Sequence, residues 1–171
     1  EFGGGVSDGV NGIIAYKGKY NELQANKAYF FFDNMMFCIG SDISYVQNDN
    51  VLTSVEQNLL NGEVIYNDGQ EKQLSSNSNM QLKQLKWVYH NNTGYIFRGT
   101  GNVTIQNMSQ AGSWKDINAT GESGLIDKNV FSVWINHGLN PENASYQYIV
   151  VPDKSINAFR DLAEQIDLYI A

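Results

Sequence analysis

The chain has 171 residues, 42% hydrophobic and 12% aromatic, enough apolar material for a packed core and too much for a disordered chain. Lys and Arg number 11 against 18 Asp and Glu, a formal charge of -7, so the surface on average repels phosphate backbones and anionic lipid, and neither nucleic acid nor membrane is expected as a partner. No apolar run approaches the roughly 20 residues that span a bilayer, and the opening EFGGGVSDG lacks the basic and apolar regions of a signal peptide, so any export signal is expected outside this chain.

Apolar alternation, β-branched and aromatic runs, and closely spaced turn residues predict an antiparallel all-β fold of about ten strands. GGGVSDG reads as a flexible entry. Strands are predicted over Gly12 to Tyr16 and Leu23 to Phe32, and the second turns at Asp33-Asn34, with Asn34 at positive φ, into Met35 to Gly40. Val51 to Gln57 alternates, and after Asn61-Gly62 the run Glu63 to Tyr66 is expected to pair back onto it. Asn67 to Gln81 lacks apolar periodicity and predicts a long, mobile surface loop. Leu85 to His90 and Gly94 to Gly99 flank Asn91-Asn92-Thr93 as a second hairpin. Asn102 to Met108, Ser113 to Asn118, Asn129 to Asn136 and Ser145 to Pro152 supply the remaining strands, the last closed by a proline with no N–H to donate. Only the tail predicts a helix, capped by Ser155, with Ile156, Phe159, Leu162, Ala163 and Ile166 on one face. No repeat or linker divides the chain, so residues 1–171 are expected to form a single domain.

Chemistry is sparse. His137, in INHG, and His90, ending WVYH, each read as a strand-end imidazole bonded to a nearby turn, because a base needs a convergent partner and none is announced. Two histidines on separate strands are a weak metal signal, and no metal or cofactor is expected. GGGVSDG lacks the preceding strand, following helix and Lys-Ser/Thr pair of a phosphate loop, and Asp42 and Asp49 have the wrong spacing for a calcium loop. Cys38, the only cysteine, has no disulfide partner and lies among Met36, Phe37 and Ile39, which predicts a buried thiol. Trp87, Tyr89, Tyr95, Trp114, Trp134, Tyr146 and Tyr148 recur through the strands. Rings at period two on one strand face, as in Trp87/Tyr89 and Tyr146/Tyr148, are explained more economically by core packing than by stacking on sugars. Five Asn-x-Ser/Thr triplets begin at Asn91, Asn102, Asn107, Asn118 and Asn143, in a chain so rich in Asn that chance matches are expected.

The ordered set KAYFFFDNMMFCIGSDI, WVYHNNTGYIF, GSWKDIN and VFSVWINHGLNPENASYQYIVVP resembles the central β domain of polysaccharide lyase family 8, the chondroitin, hyaluronan and xanthan lyases, from Gly4 to Pro152. The resemblance implies an antiparallel super-sandwich, galactose-mutarotase-like and present here without all its strands. It further implies a large secreted or periplasmic bacterial enzyme with an N-terminal α/α toroid and a smaller C-terminal β domain. Such enzymes cleave uronic-acid polysaccharides by β-elimination, using an Asn, a His, a Tyr and an Arg of the toroid and a Glu. None of these maps onto this chain: Glu1 does not gain the role by identity, and His90 and His137 fall in structural motifs. The expectation is therefore no catalytic residue here, no assigned substrate-binding residue, and a module that braces the toroid while the whole enzyme acts on chondroitin sulfate or hyaluronan. Charge agrees, since a polyanion cleft needs Arg and Lys that a module of -7 supplies poorly. Two rivals stand beside it. A free-standing carbohydrate-binding module needs coplanar exposed aromatics, and an independent mutarotase-like enzyme needs His90 or His137 to meet a carboxylate in a cleft.

Overall fold

Asn and Asp at tight turns fix the β-hairpins. In the computed structural model, which describes residues 1–99 and 101–166, Asp33 and Asn34 adopt φ 50 and 57, and Asn91 and Asn92 adopt φ 47 and 59. A two-residue hairpin of type I′, whose twist matches its strands, requires two consecutive left-handed residues, and Asn and Asp tolerate that region best after glycine. Both residues of the first turn are left-handed, not Asn34 alone.

The chain runs β1 (Phe2–Ser7), β2 (Gly12–Tyr20), β3 (Leu23–Phe32), β4 (Met35–Ser44), β5 (Asn50–Leu59), β6 (Val64–Asn67), β7 (Glu71–Gln73), β8 (Ser78–Leu82), β9 (Trp87–His90), β10 (Thr93–Phe97), β11 (Val103–Ser113), α1 (Trp114–Ile117), β12 (Leu125–Leu139), β13 (Ala144–Val151) and α2 (Ile156–Gln165). Two antiparallel sheets result. The larger has nine strands in the order β1-β2-β3-β4-β13-β10-β9-β6-β7, and the smaller has four, β5-β12-β11-β8. The all-β antiparallel expectation and the C-terminal helix both hold.

Four local readings are corrected. The glycine-rich opening is a strand, because Asp8 Oδ1 accepts the N–H groups of Val10 at 2.9 Å and Asn11 at 2.6 Å, tightening the turn that folds β1 onto β2. A Cβ at Gly5 would stand 2.7 Å from the Ile13 carbonyl oxygen, so the close approach of these strands accounts for glycine there. β6 does not return onto β5; it crosses to the other sheet and pairs β9 and β7. The predicted loop from Asn67 to Gln81 contains β7, most of β8 and the buried Leu74, whose N–H reaches the Val64 carbonyl at 2.9 Å. The predicted strand SWKDIN is the short helix α1, since Ser113 Oγ caps it by accepting the Lys115 N–H at 3.3 Å.

The main core fills the space between the sheets, where Cys38, Val88, Val103, Ile105, Phe131 and Val133 are fully buried. A second core lies on the outer face of the large sheet under α2. There Phe159 is fully buried, 5.4 Å from Trp87 in an edge-on contact and 5.5 Å from Tyr89. Burying such a ring contributes about 1.5–3 kcal/mol. Gly94 makes room for it, because a Cβ there would come within 2.0 Å of the Phe159 ring. All four residues of β9 are consequently buried, Val88 and His90 in the sandwich and Trp87 and Tyr89 under the helix. No helix among the described residues is long and apolar enough to cross a membrane.

Candidate functional site

His137 lies near the end of β12, where the turn closes by a Gly138 N–H to Asn136 Oδ1 bond of 2.8 Å and Gly138 takes φ 85. Its Nε2 shares a 2.8 Å hydrogen bond with the Thr53 hydroxyl on the neighbouring β5, and its ring stands 6.0 Å from Tyr146. Burial holds its pKa below the usual imidazole value, with the Lys27 ammonium adding to the effect. The sequence predicted a bond to a turn carbonyl. The bond is to a hydroxyl instead, because β5 and β12 pair closely enough to put Thr53 beside it.

His90 is 3% exposed at the end of β9. Its Nε2 accepts the Asn61 N–H at 3.0 Å, which assigns the proton of the neutral ring to Nδ1. Asn61 Nδ2 also donates to Asn91 Oδ1 at 2.9 Å, so imidazole and amide together pin the segment between β5 and β6 to the Asn-Asn turn. Burial lowers the His90 pKa, and the Glu56 carboxylate partly opposes this. Among the described residues neither histidine hydrogen-bonds a carboxylate, and no three His, Cys, Asp or Glu gather as a metal cluster.

Sequence reasoning missed Glu56. A register shift between Val133 and Trp134 makes Val55 an extra residue in β5, so Glu56 pairs with the inward Val133 and turns into the sandwich. Its carboxylate accepts a short hydrogen bond from the Tyr95 hydroxyl of the opposite sheet, and burial together with that bond raises the Tyr95 pKa. Strict alternation would have pointed Glu56 outward, and the bulge leaves no mark in the sequence pattern. Cys38 is fully buried and burial raises its thiol pKa, the reverse of what a nucleophile needs. Asp42 bonds Asn26 Nδ2 at 3.5 Å from a left-handed bend, Asp49 is exposed, and Glu1 is exposed ahead of β1; they do not converge.

Trp87, Tyr89, Tyr95, Tyr146 and Tyr148 are core, as their spacing predicts, and Trp134 is half-buried. Trp114 departs from the packing expectation: it is 58% exposed, at the tip of the β11–β12 arm. Asn91, Asn102 and Asn143 of the Asn-x-Ser/Thr triplets adopt positive φ, so turn geometry accounts for asparagine at those three positions.

The geometry defines an antiparallel β-sandwich in which His137 is tied to a neighbouring strand, His90 to a loop, and Glu56 to Tyr95 of the opposite sheet. The chain belongs to polysaccharide lyase family 8, and residues 1–163 match that family's super-sandwich domain. It is 40% identical over 152 residues to chondroitinase-AC of Pedobacter heparinus, covering 89% of this chain and 22% of that protein. It is 31% identical over 160 residues to the xanthan lyase of Bacillus sp. strain GL1, covering 86% and 17%. A solved chondroitinase AC lyase superposes with a TM-score of 0.87 at 38% identity, over 95% of this chain and 24% of that one. A Paenibacillus xanthan lyase gives 0.86 at 27% identity, over 95% and 17%. The chain thus spans about a fifth of the length of the relatives it matches.

Proposed function

We propose that this chain is the super-sandwich domain, a single unit over residues 1–171, of a lyase that cleaves uronic-acid glycosaminoglycans, chondroitin sulfate or hyaluronan, by β-elimination. The observation that carries the reading is the 40% identity to chondroitinase-AC across 89% of the chain. β-Elimination needs a base at the proton beside the uronate carboxylate, a partner that neutralises that carboxylate, and an acid for the leaving oxygen. No such set belongs to this domain in our reading. The Nε2 of His90 is engaged by the Asn61 N–H, that of His137 by Thr53, and Glu56 by Tyr95.

The domain instead braces a catalytic domain elsewhere in the polypeptide. Strands β1, β2 and β3 support this role, since they lie at the end of the nine-stranded sheet and carry Phe2, Val6 and Ile13, which register puts on one face, exposed to solvent. An apolar face that wide on a single layer calls for cover, which the α/α toroid or a further β domain of the lyase provides. A polymeric substrate places the enzyme outside the cytoplasm, secreted or periplasmic. Neither metal nor cofactor enters the role of this domain.

The test is the ultraviolet absorbance of unsaturated uronate. The full-length protein is expected to generate it from chondroitin or hyaluronan, the 171-residue chain alone to generate none, and His90→Gln and His137→Gln in the full-length protein to retain kcat within about threefold, a barrier change under ~1 kcal/mol. Elimination by the chain alone, or a collapse of kcat in a histidine variant that keeps its fold, would refute the reading.

A further inference from the structure

The four-stranded sheet turns one face into the core and the other outward, and strand register sorts the two, since directly opposed residues share a face. Phe131, Val133 and Ile135 of β12 are buried inward, so Trp134, Ser132, Val130, Lys128 and Ile126 line the outward side. Their cross-strand neighbours repeat one chemistry. Trp134 lies between Ser54 and Thr104, and Thr104 opposes Gln81. Ser132 lies between Gln57 and Gln106, and Gln106 opposes Asn79. These two rows offer an indole, amides and hydroxyls, without a charge.

Beyond an apolar row at Val130, Lys128 opposes Gln110 and Ile126 opposes Gly112. There a cavity of about 260 Å³ opens, bordered by Lys128, Ile126 and Trp114. Lys128 is the only charged residue that register places on this face among the described residues. Asp127 lies on the opposite face, bonded by the Ser109 hydroxyl.

Two observations separate this face from an ordinary solvated one. Ser132 is 6% exposed, and its Oγ is the single buried side-chain polar atom without a hydrogen-bond partner among the described residues. Trp114 is held outward by a bonded tip: Ser113 Oγ donates to the Glu122 carbonyl at 3.1 Å, the Asn118 N–H to the Trp114 carbonyl at 2.8 Å, and Gly121 packs where a Cβ would meet the Trp114 backbone at 2.6 Å. An exposed indole on so determined a support is organised before it meets a ligand.

We propose that the outward face running from Trp134 through Ser132 and Lys128 to Trp114 is a binding track for an extended anionic polysaccharide. Sugar rings stack on the two indoles, the amides and the exposed Ser54 hydroxyl bond ring hydroxyls, and Lys128 meets a carboxylate or sulfate. The eight-residue step from Trp134 to Ile126 covers ~26 Å of strand, which suits a polymer more than a disaccharide. The identity of the anion rests on the glycosaminoglycan-lyase reading; the track itself does not.

The experiment uses the full-length protein with Lys128→Glu and Trp114→Ala, and Lys19→Glu as a control with the same charge change on the exposed ion pair to Glu22. Retardation in gels containing chondroitin sulfate, and KM on the polymer, are each expected to weaken about tenfold for the first two variants, or ~1.4 kcal/mol. The control, retardation by neutral dextran, kcat, and KM for a tetrasaccharide are expected to stay unchanged. Retardation is independent of turnover, so loss of it in a protein without lyase activity would uphold the track and sink the lyase reading. Wild-type retardation in both variants, equal loss in Lys19→Glu, or a lowered Tm with retardation intact overturns the track; the last outcome identifies the face as a contact with another domain.

Discussion

The nine-stranded sheet contains two regions built from the same kind of sequence and finished differently. Strands β9, β10 and β13 lie between the small sheet and α2, and β9 is buried at every residue, whereas β2 has none fully buried. One cross-strand row shows the transition: Ile14 pairs Tyr29, Tyr29 pairs Cys38, and Cys38 pairs Tyr148, while exposure falls from 51% at Ile14 to 0% at Cys38. The side chains along the row are all apolar or aromatic; what changes is whether a second layer stands opposite. Alternation therefore specifies a strand and its two faces, and the presence of a neighbouring layer decides which face is core.

The largest expected effect breaks the finished region. Phe159→Ala removes the ring that α2 inserts over Gly94 and is expected to cost ~3–5 kcal/mol, read as a lower urea midpoint. A null result would mean that the helix does not close this face. Ile14→Asp sharpens the contrast in the unfinished region. In the 171-residue chain the position is half exposed and the change should be near neutral, but in the full-length protein it should cost ~1–3 kcal/mol as a charge is buried under another domain. Equal thermal shifts in the two contexts would show that β1–β3 remains uncovered.

The smallest effect is a pH dependence. Burial depresses the folded pKa of both His90 and His137 below the ordinary 6.5. As pH falls below about 6.5 the unfolded chain takes up protons that the folded chain resists, so their contribution to stability is complete above 6.5 and is lost as pH falls toward the folded values. Unfolding midpoints at pH 7.5 and 5.5 should differ in that sense, and His90→Gln should reduce the difference. A midpoint that rises on acidification would contradict the burial assigned to these rings.

The legible part of the fold was what local chemistry dictates. Asp33-Asn34 and Asn91-Asn92 announced hairpins because few residues accept two successive left-handed conformations. Ser155 and the spacing of Phe159 announced the helix, and the apolar flanks of Cys38 announced its burial. What escaped depended on distant partners. The strand pairing of EFGGGVSDG needed the Asp8 turn and a receiving β2, the destination of β6 lay in another sheet, and the inward turn of Glu56 needed a bulge against β12. The motif around Trp114 resembles a strand and so predicts packing, and only the capped tip leaves its side chain exposed.

By itself the sequence determined the antiparallel all-β class, the tight turns, the terminal helix and the family resemblance, because each is written in residues adjacent along the chain or in ordered motifs. The tertiary structure alone decided which apolar faces are covered, which polar groups cross the sandwich, and that one outward sheet face gathers Trp134, the unpaired Ser132 hydroxyl and Lys128. Those facts arise from strand register and layer width, which bring together residues from β5, β8, β11 and β12 that no local pattern relates.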